Sequence, residues 1–323
     1  MKNNKLNSKK LPLLITISLF ILLYLFGILK YPGFGNPQVF FNLFIDNAFL
    51  IITAVGITFV IITGGIDISI GGIIALVCML SAYLLEKVNL NPILTIFIIL
   101  SVGCLLGFIQ GILIQIFKIQ PFIVTFAGML FARGITNIIS TETINITNKF
   151  YIDLASAKIR LPFKCYINPS VIIALLVVII SYYIANYTSF GRYLYAIGGN
   201  EQSANLMGLP VKRVKILVYT LNGFYSALAG FVFSLYMLSG YPLHALGVEL
   251  DSIASSVIGG TLLTGGVGNV IGAMFGALIL GTIQSIISFD GTLNSWWTKI
   301  FIGILLTIFI FIQNILTKNR NNN

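Results

Sequence analysis

Leu43-Phe-Ile-Asp-Asn-Ala-Phe-Leu-Ile-Ile-Thr-Ala-Val-Gly-Ile-Thr-Phe-Val-Ile-Ile-Thr63 runs directly into Gly64-Gly-Ile-Asp-Ile-Ser-Ile-Gly-Gly72. A hydrocarbon core ~30 Å thick needs about 20 predominantly apolar residues in a helix, and the first stretch supplies them. The second stretch is too rich in glycine, and too interrupted by Asp67 and Ser69, to continue the same helix. One membrane span followed by a break is the unit that decides the fold.

The unit recurs along the chain. Leu11–Leu29, Val171–Asn186 and Trp297–Leu316 are apolar windows of the same kind, and 57% of the 323 residues are hydrophobic while only 9% are charged. An average soluble domain carries about a quarter charged residues, so a water-soluble fold would have nowhere to hide this much apolar surface. The windows lack the period-2 alternation of outer-membrane strands, which leaves helices. The expected class is an all-α polytopic membrane protein.

The formal net charge of +10 does not indicate nucleic acid, because the lysines and arginines sit mainly in short segments between apolar windows, where they report topology. Lys2, Lys5, Lys9 and Lys10 precede the first window, which resembles a signal peptide. The window is long for that role and ends in Leu29-Lys-Tyr-Pro32 without a small-residue cleavage site, so it reads as an uncleaved span with a cytoplasmic N-terminus. Cys78 and Cys104 lie in apolar windows and Cys165 stands alone in a polar loop, giving no disulfide framework or metal site.

Loop charges fix the parity of the spans. The first five fall near 11–30, 43–63, 68–85, 93–116 and 121–140, with Lys118 inside and Thr141–Pro169 outside; a sixth near 170–187 returns to the basic segment Gly191 to Lys215. A seventh near 214–239 leaves again. Lys318 and Arg320 belong inside, which requires Leu250–Thr264 to be a short span before Val267–Ile287 and Trp297–Leu316. The total is about ten transmembrane helices with both termini cytoplasmic. Gly64–Gly72 and Leu250–Gly260 sit at equivalent places in two halves, so spans two to five and seven to ten are expected to form an inverted repeat.

Within the basic segment, Ala196-Ile-Gly-Gly-Asn-Glu-Gln-Ser-Ala-Asn-Leu-Met-Gly-Leu-Pro210 spells a short capped helix. Asn200 suits the N-cap, Glu201 the positive end of the dipole, Gly208 the C′ position, and Pro210 stops continuation.

With Gly64-Gly-Ile-Asp-Ile-Ser69, Gly198-Gly-Asn-Glu201, Glu249-Leu-Asp251 through Gly259-Gly-Thr261, and Thr264-Gly-Gly-Val-Gly268 in order, the sequence resembles the ribose-type ABC sugar permeases over nearly its whole length. Asp46-Asn-Ala-Phe-Leu50, Ser203-Ala-Asn-Leu-Met-Gly208 and Phe289-Asp-Gly-Thr-Leu-Asn-Ser-Trp-Trp-Thr-Lys299 are most like the galactofuranose permeases of that family. The resemblance implies a multi-pass protein of the bacterial cytoplasmic membrane, with a basic N-terminus at 1–10, a permease domain at 11–317 and a cytoplasmic tail at 318–323. It implies a pair of permeases, identical or related, supplied by a periplasmic or extracellular sugar-binding protein. It also implies alternating access driven by an ATP-binding subunit, which holds ATP and Mg and grips the loop 190–213. The gripped residues would be Gly199, Asn200, Glu201, Ser203, Ala204, Met207 and Gly208. The chain has no G-x-x-x-x-G-K-[ST] loop, so it needs no cofactor of its own and is expected not to be an enzyme.

Asn47, Asp67, Ser69, Asn137, Asn222, Asp251 and Gln284 are candidates for the sugar path or for broken-helix turns, because polar groups within spans are costly unless used. Gln110 shares the pattern, and each of these also suits an ordinary interhelical hydrogen bond or helix cap. Arg133 suits snorkelling or structural pairing. Trp296 and Trp297 sit where a span begins, the place of interfacial belt residues, although indoles also stack on sugar rings. His244 has no neighbouring ligand pattern. An ion-coupled secondary sugar transporter would share the spans and repeats but need no docking helix; an intramembrane enzyme would need clustered acids, and the acids are scattered.

Overall fold

The computed structural model describes residues 2–162, 165–292, 294 and 296–321, with side chains described from 12 to 311 within that set. Fourteen helices account for most of these residues: α1 Lys2–Lys30, α2 Pro37–Asp46, α3 Ala48–Ile62, α4 Ile70–Glu86, α5 Pro92–Gln115, α6 Pro121–Ile139, α7 Lys149–Ser156, α8 Pro169–Tyr187, α9 Ser189–Gly199, α10 Glu201–Leu206, α11 Val211–Met237, α12 Val248–Ile258, α13 Val270–Asp290 and α14 Trp296–Asn321. Four two-residue strands pair antiparallel, β1 (Ile144–Asn145) with β4 (Ser239–Gly240) and β2 (Ile159–Arg160) with β3 (Tyr166–Ile167). They pin loops, so the all-α expectation needs only that amendment.

Among the described residues, six helices are long and apolar enough to cross a membrane, or seven if α2 and α3, bent by 54°, count as one broken span. Burial separates inner from outer helices. In α3 every residue except Phe49 is buried, as expected of a helix apolar all round. The spanning windows of α11 and α13 are each 67% buried, whereas the α1 window is 17% buried and turns the rest outward. In a bilayer that outward apolar surface faces lipid.

Small residues set the closest approaches. On α5, Gly103, Gly107 and Gly111 lie against Ala227, Gly223 and Ile216 of α11 in turn, so the helices run antiparallel along a glycine seam of the small-xxx-small kind. Gly272 and Gly276 of α13 meet Gly259 and Ser255 at the end of α12 in the same sense. The hydroxyls of Ser252 and Ser256 on α12 bond those of Thr53 and Thr58 on α3 at 2.7 and 2.8 Å, which makes α12 and α3 parallel. Gly65 near Tyr219, and the Cys78 thiol 3.4 Å from the Gly230 carbonyl, set the segment entering α4 parallel to α11. Phe20 on Phe275 and Tyr31 on Asp290 run α1 parallel to α13.

The structure corrects two boundaries. Residues 43–63 are not one helix: α2 ends at Asp46, and Asn47 (φ −110°, ψ 13°) caps it by donating Nδ2–H to the Leu43 carbonyl at 2.8 Å. The side chain of Asn47 fits because Gly281 opposite has no Cβ to collide with it. Nor is 250–264 helical throughout. α12 has 11 residues, about 16 Å of rise, and the chain then turns through Gly260 (φ +93°), Gly265 (φ +86°) and Gly266 (φ +75°). Glycine takes those angles without the steric cost that a Cβ would add.

Candidate functional site

The short helix expected after Gly199 is α10. Asn200 is extended (φ −162°, ψ 106°), and its Oδ1 accepts from the Ser203 amide at 2.8 Å; Gly208 ends the helix at φ +78°. Glu201 in the first turn accepts from the Lys215 ammonium at 2.5 Å, tying α10 to the start of α11. Ala204 is fully buried, so the helix has a seated face. Opposite it, Leu206 is 89% exposed, and Met207 at the C-cap is 69% exposed. Ser203 sits between the faces, and its amide is used by the cap. Replacing Asn200 by Ala removes the one side-chain cap and should cost about 1 kcal/mol locally. The expected readout is faster amide exchange over 201–206 with the level of membrane protein unchanged.

Beneath α10 lies a junction of glycines. The Gly266 amide donates to the Ile62 carbonyl at 2.9 Å, while Gly198 and Gly199 face Gly265 and Gly266 at backbone distance. The hydroxyl of Tyr195 donates to the Gly268 carbonyl at 3.1 Å. The ends of α3 and α9 and the turn after α12 therefore meet at one point, and the three glycine motifs of the sequence are parts of one joint.

The candidate path residues fall into two groups and an outlier. Asp67, Ser69 and Asn222 form a buried knot where the chain enters α4. One Asp67 oxygen accepts from the Ser69 amide at 2.8 Å and hydroxyl at 2.6 Å, the other from the Asn222 amide group at 2.7 Å. Gln110 and Thr125 close the ring, Gln110 Oε1 lying 3.2 Å from the Ser69 hydroxyl and Thr125 Oγ1 accepting from the Ile68 amide at 3.2 Å. This is an Asx-type turn at the entry to α4, held from three helices, α5, α6 and α11, and it leaves Asp67 1% exposed. Asn47, Asp251 and Gln284 instead line a cavity at the other end of α3. Asn137 belongs to neither: it is exposed on α6 and donates to the Arg133 carbonyl at 2.9 Å.

Three groups take parts that the sequence pattern did not assign. Arg133 donates to the carbonyls of Pro242 and His244, at 3.0 and 3.3 Å, and of Ala245 at 3.4 Å, so it pins the loop before α12. Lys299 grips both oxygens of Asp251 at 2.9 and 2.7 Å. Leu206 is the outward apolar residue of α10, 89% exposed, and only the burial of Ala204 two positions earlier reveals which face that is. Among the described residues no cluster of three or more His, Cys, Asp or Glu side chains could hold a metal ion.

Residues 39–310 match the family of permease components of the branched-chain amino acid transport system. The chain belongs to this permease family. Relatives agree over nearly full length. The permease is 48% identical to the inner membrane ABC transporter permease protein YjfF of Escherichia coli K12, covering 97% of this chain and 96% of the relative. It is 37% identical to the fructose import permease protein FruG of Bifidobacterium longum (97% and 93%) and 34% identical to the ribose import permease protein RbsC of Haemophilus influenzae (94% and 93%). No solved structure matches it. Family and relatives alike are transport subunits rather than enzymes, and the permease is a multi-pass membrane protein.

Proposed function

We propose that this permease is the membrane-spanning subunit of an ATP-driven importer that carries a monosaccharide across the bacterial cytoplasmic membrane. The substrate class is a galactofuranose-like or ribose-like sugar: the sugar names of FruG and RbsC support the class, and Asp46–Leu50, Ser203–Gly208 and Phe289–Lys299 support the galactofuranose type. A sugar-binding protein outside the membrane delivers the sugar, and a second permease, identical or related, completes the pore. ATP and Mg are held by a separate ATP-binding subunit.

The observation that carries the reading is α10. A free-standing surface helix has no reason to expose Leu206 and Met207 to water while spending a cap, an ion pair and a buried alanine on being held rigid. Apolar side chains on a fixed short helix suit insertion into a groove of a partner. Its base, the glycine joint, links α3, α9 and the α12–α13 turn. Movement of α10 with the ATPase would thereby be passed to the helices that flank the path, giving alternating access.

About ten crossings with both termini cytoplasmic accords with the helix directions, in which α1 and α13 run one way, α3 and α12 the other, and α11 with α4 opposes α3. The inverted repeat is supported by matched packing: α3 packs on α12 and α13 as α11 packs on α4 and α5, while α6 and α14 cover α4 and α12. In this reading α4 and α12 are the interrupted helices of the two halves.

The test is reconstitution with the cognate ATPase and binding protein. Leu206→Asp and Met207→Asp should abolish ATP-driven sugar uptake and retention of the ATPase, while the permease alone keeps its melting temperature, since both side chains are on the surface. Uptake that survives both changes, or that runs on an ion gradient without ATP, would refute the assignment.

A further inference from the structure

Two adjoining cavities, about 400 Å³ and about 330 Å³, lie where the α2–α3 break, the first turn of α12, the end of α13 and the start of α14 come together. Asn47, Gln284 and Ser288 line both. We propose that this groove is a monosaccharide subsite contained within a single permease chain, a proposal that rests on the sugar-import reading and goes beyond it by naming where the sugar is held.

Size is the first argument. Small-molecule sites commonly enclose about 300–1,000 Å³, so each cavity alone falls in the range. Chemistry is the second. The shared wall offers a carboxamide from α13, another from the helix break and a hydroxyl, groups that both donate and accept and so match the mixed donors and acceptors of a polyol. Asn47 spends one amide hydrogen on the Leu43 carbonyl, which fixes the side chain in place and leaves its oxygen and second hydrogen for a ligand. The Trp296 indole, 74% exposed, stands at the rim of the larger cavity, where its flat face can cover the C–H face of a sugar ring.

Charge is the third argument, and it selects among occupants. Asp251 is neutralised by Lys299 across the rim at 2.7 Å, and the smaller cavity adds Asp46 with no cation among its lining residues. The groove therefore carries no surplus positive charge to attract an anion such as a phosphate headgroup. A neutral ligand meets no such penalty. Position is the fourth: α2 and α3 are bent by 54° at Asn47, and non-helical backbone at membrane depth is tolerated where it lines a cavity.

Trp296 and Trp297 are the two tryptophans of the chain, so Trp297→Phe leaves a single reporter in the groove. In that background the detergent-purified permease is titrated with D-galactose, D-ribose and D-fructose while acrylamide quenching of Trp296 is followed. At least one of these sugars should protect the indole saturably, and Gln284→Leu should weaken that protection about tenfold, the loss of one well-placed hydrogen-bond pair. Gln284 is exposed, so its replacement leaves the fold intact, as an unchanged melting temperature will confirm. Protection by none of the sugars, or protection that Gln284→Leu leaves unaltered, overturns the subsite. So does quenching of Trp296 by brominated phosphatidylethanolamine that no sugar relieves, which would make the groove a lipid site. Uptake by the reconstituted importer separates the two readings. Sugar uptake with a silent Trp296 removes the subsite alone, whereas a complex that imports no sugar removes the importer reading and the subsite with it.

Discussion

Gly198→Ala should reduce the folded permease to near background, while Gly199→Ala, one position later, should leave the folded level and melting temperature unchanged. A methyl group on Gly198 is driven into the Ile62 carbonyl oxygen and comes within 2.5 Å of the Gly266 amide nitrogen, whereas a methyl group on Gly199 would meet nothing within 4 Å. Both obstacles at Gly198 are backbone atoms, and they are the two partners of the 2.9 Å hydrogen bond that closes the joint. No side chain can swing aside, so α9 must move away from α3 and the Gly265–Gly266 turn. Overpacking typically costs about 1–3 kcal/mol, and an orphaned buried backbone pair adds about 1–3 kcal/mol, a sum that exhausts much of the stability of an ordinary domain. Fluorescence size-exclusion profiles and melting temperatures of the two variants provide the comparison. Equal behaviour of the pair would mean that the joint is looser than the geometry requires.

The second large effect is expected at Asp67. Removing its carboxylate by Asp67→Ala strips acceptors from the Ser69 amide, the Ser69 hydroxyl and the Asn222 side chain, all within the buried knot. Hydrogen bonds to a charged partner are worth about 1.5–3 kcal/mol each, and buried donors left unpaired cost about as much again, so a loss of about 4 kcal/mol is expected after partial relaxation. Asp67→Asn should be far milder. It retains a carbonyl oxygen for Ser69, and the Asn222 carboxamide can turn to present Oδ1, which has no partner in the wild-type arrangement. The double variant Asp67→Ala with Asn222→Leu should cost less than the sum of the single changes, by about 1–3 kcal/mol, because one deletion already breaks the bond that the other would remove. Strict additivity in a thermal or denaturant series would show that Asp67 and Asn222 are not coupled.

The two predictions concern features that were unequally visible in the sequence. Gly198 stood in a quoted motif, but nothing in the order of residues says that its neighbour Gly199 is free and that it is not. That difference arises because Ile62 and Gly266, far away in the chain, approach one side of α9 and not the other. Asp67 was visible as an acid within an apolar context, and Asn222 as an amide within a span. Their partnership spans 155 positions and depends on α11 running beside the segment that enters α4.

The sequence by itself determined the membrane class, because apolar run lengths answer directly to bilayer thickness, and the family, because the glycine and acid motifs occur in order. It determined α10 almost to the residue, since caps and a C′ glycine act within a few positions of chain. Tertiary structure alone decided the break at Asn47, which depends on the missing side chain of Gly281, and the early end of α12, where three left-handed glycines turn the chain back. It alone sorted the polar span residues, sending Asp67, Ser69 and Asn222 to one buried knot, Asn47, Asp251 and Gln284 to one groove, and leaving Asn137 on the surface. The physical reason is that hydropathy records the solvent of a segment, whereas the partner of a buried polar group is set by helix packing between residues distant in the chain.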